Sequence, residues 1–216
     1  MKITILTDQQ DSWFVPYGNK LLGSLNALGG LDVTYIHDQS EVPDNNDILF
    51  LLSCVKIVKK STLDKSKSNI VVHASDLPAG KGFSPLQWQI REGKSAVTLT
   101  LFEANEAVDD GPYYFKHSLD LIDTELLPES RNRMAEEIVQ MCIKYVAQFP
   151  DWEPHQQQGT ESFYGRLTDK DDELDINKPL SEQMDLIRGA DFDKFPLHFS
   201  YKGKKFTVKV SHDGKS

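Results

Sequence analysis

One stretch of the 216-residue chain gathers side chains able to do chemistry: Val71-Val72-His73-Ala74-Ser75-Asp76-Leu77-Pro78, then Ala79-Gly80-Lys81-Gly82-Phe83-Ser84-Pro85-Leu86. An imidazole titrates near neutrality, so it is the side chain best suited to take and return a proton at ordinary pH. His73 closes an apolar, strand-like run, Ile70–His73, and open α/β sheets place their sites beyond the carboxyl ends of such strands. The same spacing also suits a satisfied core histidine with Ser75-Asp76 as a simple cap. Farther on, Asp109-Asp110-Gly111 supplies two carboxylates and a glycine, which taken alone reads as a turn. Other chemistries lack their residues. After the first strand the chain runs Asp8-Gln9-Gln10-Asp11-Ser12-Trp13 rather than GxGxxG, and no GxxxxGK[ST] occurs, so neither a dinucleotide fingerprint nor a P-loop is expected. The six histidines include no HExxH and the two cysteines, Cys54 and Cys142, form no CxxC, so no metal is expected. Ser-His-Asp catalysis lacks its GxSxG elbow.

The elements that must position these residues follow from periodicity. Lys2–Leu6, Leu31–His37, Ile48–Leu52 and Ile70–His73 read as strands, the continuous apolar runs suggesting burial on both faces of a parallel sheet. Tyr17, Leu21, Leu25 and Leu28 recur at helical spacing before a Gly29-Gly30 stop. The expected fold is therefore α/β and Rossmann-like, a right-handed, mostly parallel sheet flanked by helices. Ser84 and Pro85 suit the N-cap and first turn of a helix to Glu92. Ala96–Phe102 alternates as a strand, Pro112–His117 suits another, and Thr124–Phe149 carries the longest helical pattern. Asp151–Thr160, with Pro154, three Gln and a Gly, reads as a surface connection. Beyond it come a short helix over Ser181–Arg188, a hairpin over Leu197–Val210 turning at Lys202-Gly203, and a loose tail from Ser211. This divides the chain into a domain over 1–150 and a small helix-plus-hairpin lobe over 151–216.

Composition narrows the class. Lys+Arg 24 against Asp+Glu 33 gives a net charge of −9, which argues against a broad nucleic-acid surface. No apolar run approaches the ~20 residues of a membrane span, and the opening Met1–Leu6 is too short for a signal peptide. Two distant thiols fit a reducing compartment, so a cytoplasmic protein is expected.

The His73 segment resembles the signature of the formyltransferase family that includes methionyl-tRNA formyltransferase and the nucleotide-sugar N-formyltransferases: Asn-x-His-x-Ser-x-Leu-Pro, a loop, Gly, two small residues, Pro and an apolar residue. His73, Ser75, Leu77, Pro78, Gly82, Ser84, Pro85 and Leu86 fall on it without a gap. A second match, Val97-Thr98-Leu99 through Val108-Asp109-Asp110-Gly111, is similar to the family's stretch around its catalytic Asp, placing that role at Asp109. A weaker one runs through Leu174-Asp175, Leu186-Ile187-Arg188 and Phe195-Pro196, so that the likeness covers most of residues 1–210. One departure stands out: the family's catalytic Asn, two before the histidine, is Val71 here. Asn69, four before, shares its face and sits ~6.6 Å farther back, from where a bulge would bring its amide forward; Asn105 is a second candidate.

The resemblance implies formyl transfer from 10-formyl-tetrahydrofolate to an amine, without a metal. His73 would take the amine's proton, Asp109 would orient the imidazole, and Asn69 is the expected oxyanion donor. The folate pocket would be built largely of backbone from Ser53, Cys54 and Ile57 and from Glu103 to Val108. Ser75, Lys81, Gly82 and Arg166 are expected at the acceptor, with Phe163 and Tyr164 for stacking. Methionyl-tRNA formyltransferase carries a basic C-terminal domain, whereas this chain is acidic and ends soon after a hairpin. The expected acceptor is therefore a nucleotide-linked amino sugar, feeding polysaccharide synthesis, with no nucleic-acid or membrane partner and a homodimer left open. Another small amine, hydrolysis of the formyl donor, and a non-catalytic folate- or sugar-nucleotide-binding relative remain as alternatives.

Overall fold

The chain opens on strand β1 (Lys2–Leu6), which ends up between two parallel neighbours. Helix α1 (Val15–Ala27), with Pro16 in its first turn, buries Gly18, Leu21 and Leu25 and returns the chain as β2 (Asp32–Ile36), parallel to β1. On the other side of β1 lies β3 (Asn46–Leu51), followed by the one-turn helix α2 (Lys60–Leu63) and by β4 (Ser66–His73), parallel to β3. Then come a two-residue strand β5 (Lys81–Gly82), helix α3 (Pro85–Arg91), β6 (Ala96–Glu103), β7 (Tyr113–Asp120) and the 22-residue helix α4 (Leu127–Gln148). This computed structural model describes residues 1–213. The three last residues of the tail expected to be loose lie outside the described residues, while His212 bonds to Glu129 of α4.

The six-stranded order β2-β1-β3-β4-β6-β7 is parallel through β4 and antiparallel from β6 onward. The sheet is thus mixed, and the apolar alternation of Ala96–Phe102 marks the place where the direction reverses. Two cores cover its faces. One joins Ile3, Ile5, Phe50 and Ile70 to α1 and α4 through Leu21, Leu25, Ile138 and Cys142. The other gathers Leu6, Leu49, Leu51 and Leu63, with Cys54, Val71 and Ala104 against them. At roughly 1.5–3 kcal/mol per fully buried large apolar side chain, these clusters dominate the stability of the sheet.

The chain after α4 does more than connect. Residues 155–164 turn back over the end of β4: Tyr113 and His155 exchange backbone bonds, and β8 (Phe163–Tyr164) pairs in parallel with β5. The rest forms a lobe with helix α5 (Met184–Arg188) and the hairpin β9 (Leu197–Tyr201) and β10 (Lys204–Val208), packed around Leu174, Ile187, Ala190 and Leu197. The hairpin turns at Lys202-Gly203, both at positive φ, as its residues predict. Ser84 departs from expectation: it adopts a left-handed conformation (φ 49°) and makes no side-chain cap, so α3 starts on Pro85 alone.

Candidate active site

β4 carries His73 to the carboxyl end of the parallel half of the sheet, where the imidazole is buried. Its Nδ1 stands 3.6 Å from Asp109 Oδ2, and its Nε2 donates to the Gly80 carbonyl at 2.8 Å. The two segments singled out in the sequence therefore meet, the strand end supplying the imidazole and the loop between β6 and β7 the carboxylate. Asp109 sits at φ 52°, in the left-handed region, an energetically costly position for a residue with a side chain. Its Oδ2 accepts the backbone N–H of Gly82 at 2.8 Å.

Both motif glycines have steric reasons. A Cβ on Gly111 would lie 1.7 Å from the Glu103 carbonyl oxygen, and one on Gly82, at φ 102°, would lie 2.5 Å from the Tyr164 carbonyl. The loop holding Asp109 crosses the end of β6 too closely for any side chain at 111. Strand β5 likewise needs glycine at 82 to reach β8.

The remaining expected residues divide. Ser75 is buried beneath the Gly80 turn, its hydroxyl without a partner and its carbonyl accepting from Thr100. Lys81 is not free to meet a substrate. It is 2% exposed, and its Nζ donates to Asp110 at 2.5 Å and Glu161 at 2.7 Å, tying the Asp109 loop to the returning segment. Gly82 likewise serves the Asp109 carboxylate through its N–H. Arg166 stacks its guanidinium 3.8 Å from the centre of the Phe83 ring. Phe163 is 65% exposed, whereas Tyr164 lies stacked on Trp88 and donates its hydroxyl to Glu92.

Asn69 does not reach His73. The β4–β6 register runs unbroken from Ile70↔Glu103 to His73↔Thr100, so no bulge brings the amide forward. Four residues of strand leave it ~13 Å behind the imidazole. Its Nδ2 donates to the Leu63 carbonyl and its Oδ1 is buried without a partner. Val71 packs into the second core. Asn105 accepts from the Ala107 N–H. The oxyanion donor expected from an asparagine is thus not assembled by either candidate.

A cavity of about 420 Å³ opens instead where Asn69 points, lined by Lys60, Leu63, Asp64, Asn69, Asn105 and Glu106 among others. That size lies within the range of small-molecule sites, roughly 300–1,000 Å³. Of the two loops expected at the folate, the one after β6 borders this cavity; Ser53, Cys54 and Ile57 are not among its walls. Ser53 shares a hydrogen bond with Ser12 and sits at φ 56°. Cys54 is held against the Leu6 carbonyl, its thiol pushed up to about 12 by burial. Ile57 is 74% and Val108 51% exposed. Glu103 turns its carboxylate away from the cavity toward α4, accepting from Ser68, Tyr114 and the Asn69 N–H, and desolvation raises its pKa.

Sequence reasoning missed Gln157. Its Nε2 donates to the carbonyls of both Asp109, at 3.0 Å, and Gly111, at 2.8 Å. Lying within a polar, proline- and glycine-bearing stretch, it carries no signal by which it would stand out.

A family model described as "Formyl transferase" matches residues 38–146. The methionyl-tRNA formyltransferase of Agathobacter rectalis is 28% identical over 169 residues, covering 76% of this chain and 54% of the relative. The chain therefore spans about half the length of that relative. Among solved structures, a methionyl-tRNA formyltransferase from Clostridium thermocellum aligns with TM-score 0.80 at 23% identity, covering 100% of this chain and 95% of the other. A sugar N-formyltransferase from a Shewanella species aligns at 0.75 and 16%, covering 98% and 97%. At these identities the structural likeness establishes the fold.

Proposed function

The chain belongs to the formyl transferase family, and on that premise we propose that it transfers a formyl group from 10-formyl-tetrahydrofolate to the amine of a nucleotide-linked amino sugar. The observation that carries the reading is the His73–Asp109 pair at the end of β4, 3.6 Å apart with both side chains largely buried. In the transfer, the amine nitrogen bonds to the formyl carbon and the bond from that carbon to the folate nitrogen breaks. The proton released by the amine passes to His73 and from there to the departing nitrogen, so the enzyme returns unchanged. Asp109 holds the imidazole and offsets its transient charge. The cavity beside Ala104–Glu106 is of a size that suits part of the folate.

Two features support a nucleotide-linked acceptor. Phe83, Arg166 and the open ring of Phe163 form an aromatic and guanidinium strip beside the site, suited to stack on a base and pair with a diphosphate. The net charge of −9 opposes a polyanion as large as tRNA. The Agathobacter relative favours methionyl-tRNA as a second reading. Under the first reading the protein acts in the cytoplasm, with residues 1–150 as the catalytic domain and 151–216 as its accessory lobe.

The test is turnover with 10-formyl-tetrahydrofolate and a panel of nucleotide-linked amino sugars, with charged initiator tRNA as a separate arm. Tetrahydrofolate release with one formyl added to a sugar is the expected result. Formylation of the tRNA alone selects the second reading. Folate binding with turnover on no amine identifies a binding relative.

A further inference from the structure

When neutral, His73 carries one ring proton, and two acceptors face it. The Gly80 carbonyl stands 2.8 Å from Nε2, whereas Asp109 Oδ2 stands 3.6 Å from Nδ1, beyond hydrogen-bond range. A carbonyl can only accept, so the proton lies on Nε2 and Nδ1 is left bare as the basic nitrogen. Moved to Nδ1, the same proton would face the Asp109 carboxylate, and that nitrogen would then be a donor with no lone pair for a second proton. Whether Nδ1 can act as the base therefore turns on how firmly the Gly80 carbonyl is aimed.

Gly80 does little to aim that carbonyl by itself. It sits at φ 73°, where a Cβ would meet Ser75 Cβ and Tyr164 Cε2 at 2.9 Å, and a residue without a side chain sets few steric limits on its own φ and ψ. Ser162 fastens the peptides on both sides of it. The Ser162 Oγ accepts the Gly80 N–H at 2.8 Å. Its backbone carbonyl accepts the Lys81 N–H at 2.9 Å, the other end of the peptide whose oxygen receives His73. Its own N–H reaches the Pro78 carbonyl at 3.4 Å, at the start of the same turn. The backbone bonds would come with other residues at 162, because β8 begins at the next position; the bond to the Gly80 N–H needs the hydroxyl. We propose that Ser162 is a positioning residue, which fixes the Gly80 carbonyl against His73 Nε2 and so keeps Nδ1 free to take a proton. The inference rests on the reading of His73 as the base.

Ring ¹⁵N shifts of His73, identified by their loss in His73→Gln, report the tautomer directly. Above about pH 8, where an imidazole is neutral, the wild type is expected to hold mainly the Nε2–H form. Ser162 is exposed, so Ser162→Ala should fold as wild type does. It should lower the ratio of Nε2–H to Nδ1–H by roughly 2- to 10-fold, the worth of one ordinary hydrogen bond, and Ser162→Thr, which keeps the hydroxyl, should restore it. With substrates, kcat of Ser162→Ala should fall in proportion to the Nε2–H share while KM stays within about twofold. An unchanged ratio in folded Ser162→Ala overturns the proposal, whatever happens to activity, and so does a shift that Ser162→Thr fails to reverse. Should Ser162→Ala not fold, exchange of the Gly80 amide proton in the wild type decides. Protection supports the clamp, and exchange as fast as in an unstructured peptide overturns it. A tautomer shift in a protein that formylates no amine would support the clamp while sinking the transferase reading.

Discussion

In the proposed transfer His73 and Asp109 act as a unit, so removing either should cost turnover far more than binding. His73→Ala and Asp109→Asn are each expected to lower kcat by about 10²–10⁴, the usual worth of positioned acid–base groups, with tetrahydrofolate affinity by calorimetry within about threefold of wild type. Loss of folate affinity in step with turnover would instead make His73 a binding or folding residue. Gly111→Ala tests the steric reading of the loop. With the added carbon 1.7 Å from the Glu103 carbonyl, the loop must move, so activity should fall as it does for Asp109→Asn. Urea denaturation should show a loss of roughly 1–3 kcal/mol. Retention of full activity would show that the loop crosses β6 more loosely than described.

At the scale of elements, β4 and β6 share a buried polar junction with α4. Ser68, Tyr114 and the Asn69 N–H donate to Glu103, and Tyr145 of α4 bonds to Ser68. Desolvation outweighs these donors and raises the Glu103 pKa. A carboxyl whose folded pKa is raised holds its proton more tightly when folded. Its favourable contribution is therefore complete below the unfolded value and is lost as pH rises through the folded one. Glu103→Gln should accordingly gain on wild type as pH climbs from about 4.5 through the raised value, then hold a constant difference. Denaturation midpoints measured against pH check this, and a difference that shrinks with rising pH would reverse the sign of the shift. The same junction holds Glu103 at the sheet, so the part of its loop that borders the cavity begins after it, at Ala104–Glu106.

Across the whole molecule, the C-terminal lobe is joined to the sheet domain at Arg91 of α3, whose guanidinium donates to Asp172 at 2.6 Å and to the Asp171 carbonyl, with both side chains buried. Arg91→Met should destabilise by about 3–5 kcal/mol, because it leaves a buried carboxylate unpaired. Arg91→Met with Asp172→Asn should recover much of that loss in the same melts; no recovery would mean that the arginine's packing matters and its charge does not. Much of this architecture was legible in residue order. Apolar runs marked β1, β3 and β4 because strands buried on both faces must be apolar throughout, and Gly203 marked the hairpin because its turn needs positive φ. His73 and Asp109 stood out because proton transfer restricts the residue type and the surrounding motif restricts the spacing. What only the tertiary structure decided depends on segments distant in sequence. The unbroken strand register keeps Asn69 from the imidazole, ion pairs with two loops withdraw Lys81 from substrate, and the segment after α4 folds back to bring Gln157 onto the Asp109 loop. Periodicity records which face of an element is buried; it does not record which partner a polar side chain finds, because that choice is made by hydrogen bonds between elements that meet only once the chain has folded.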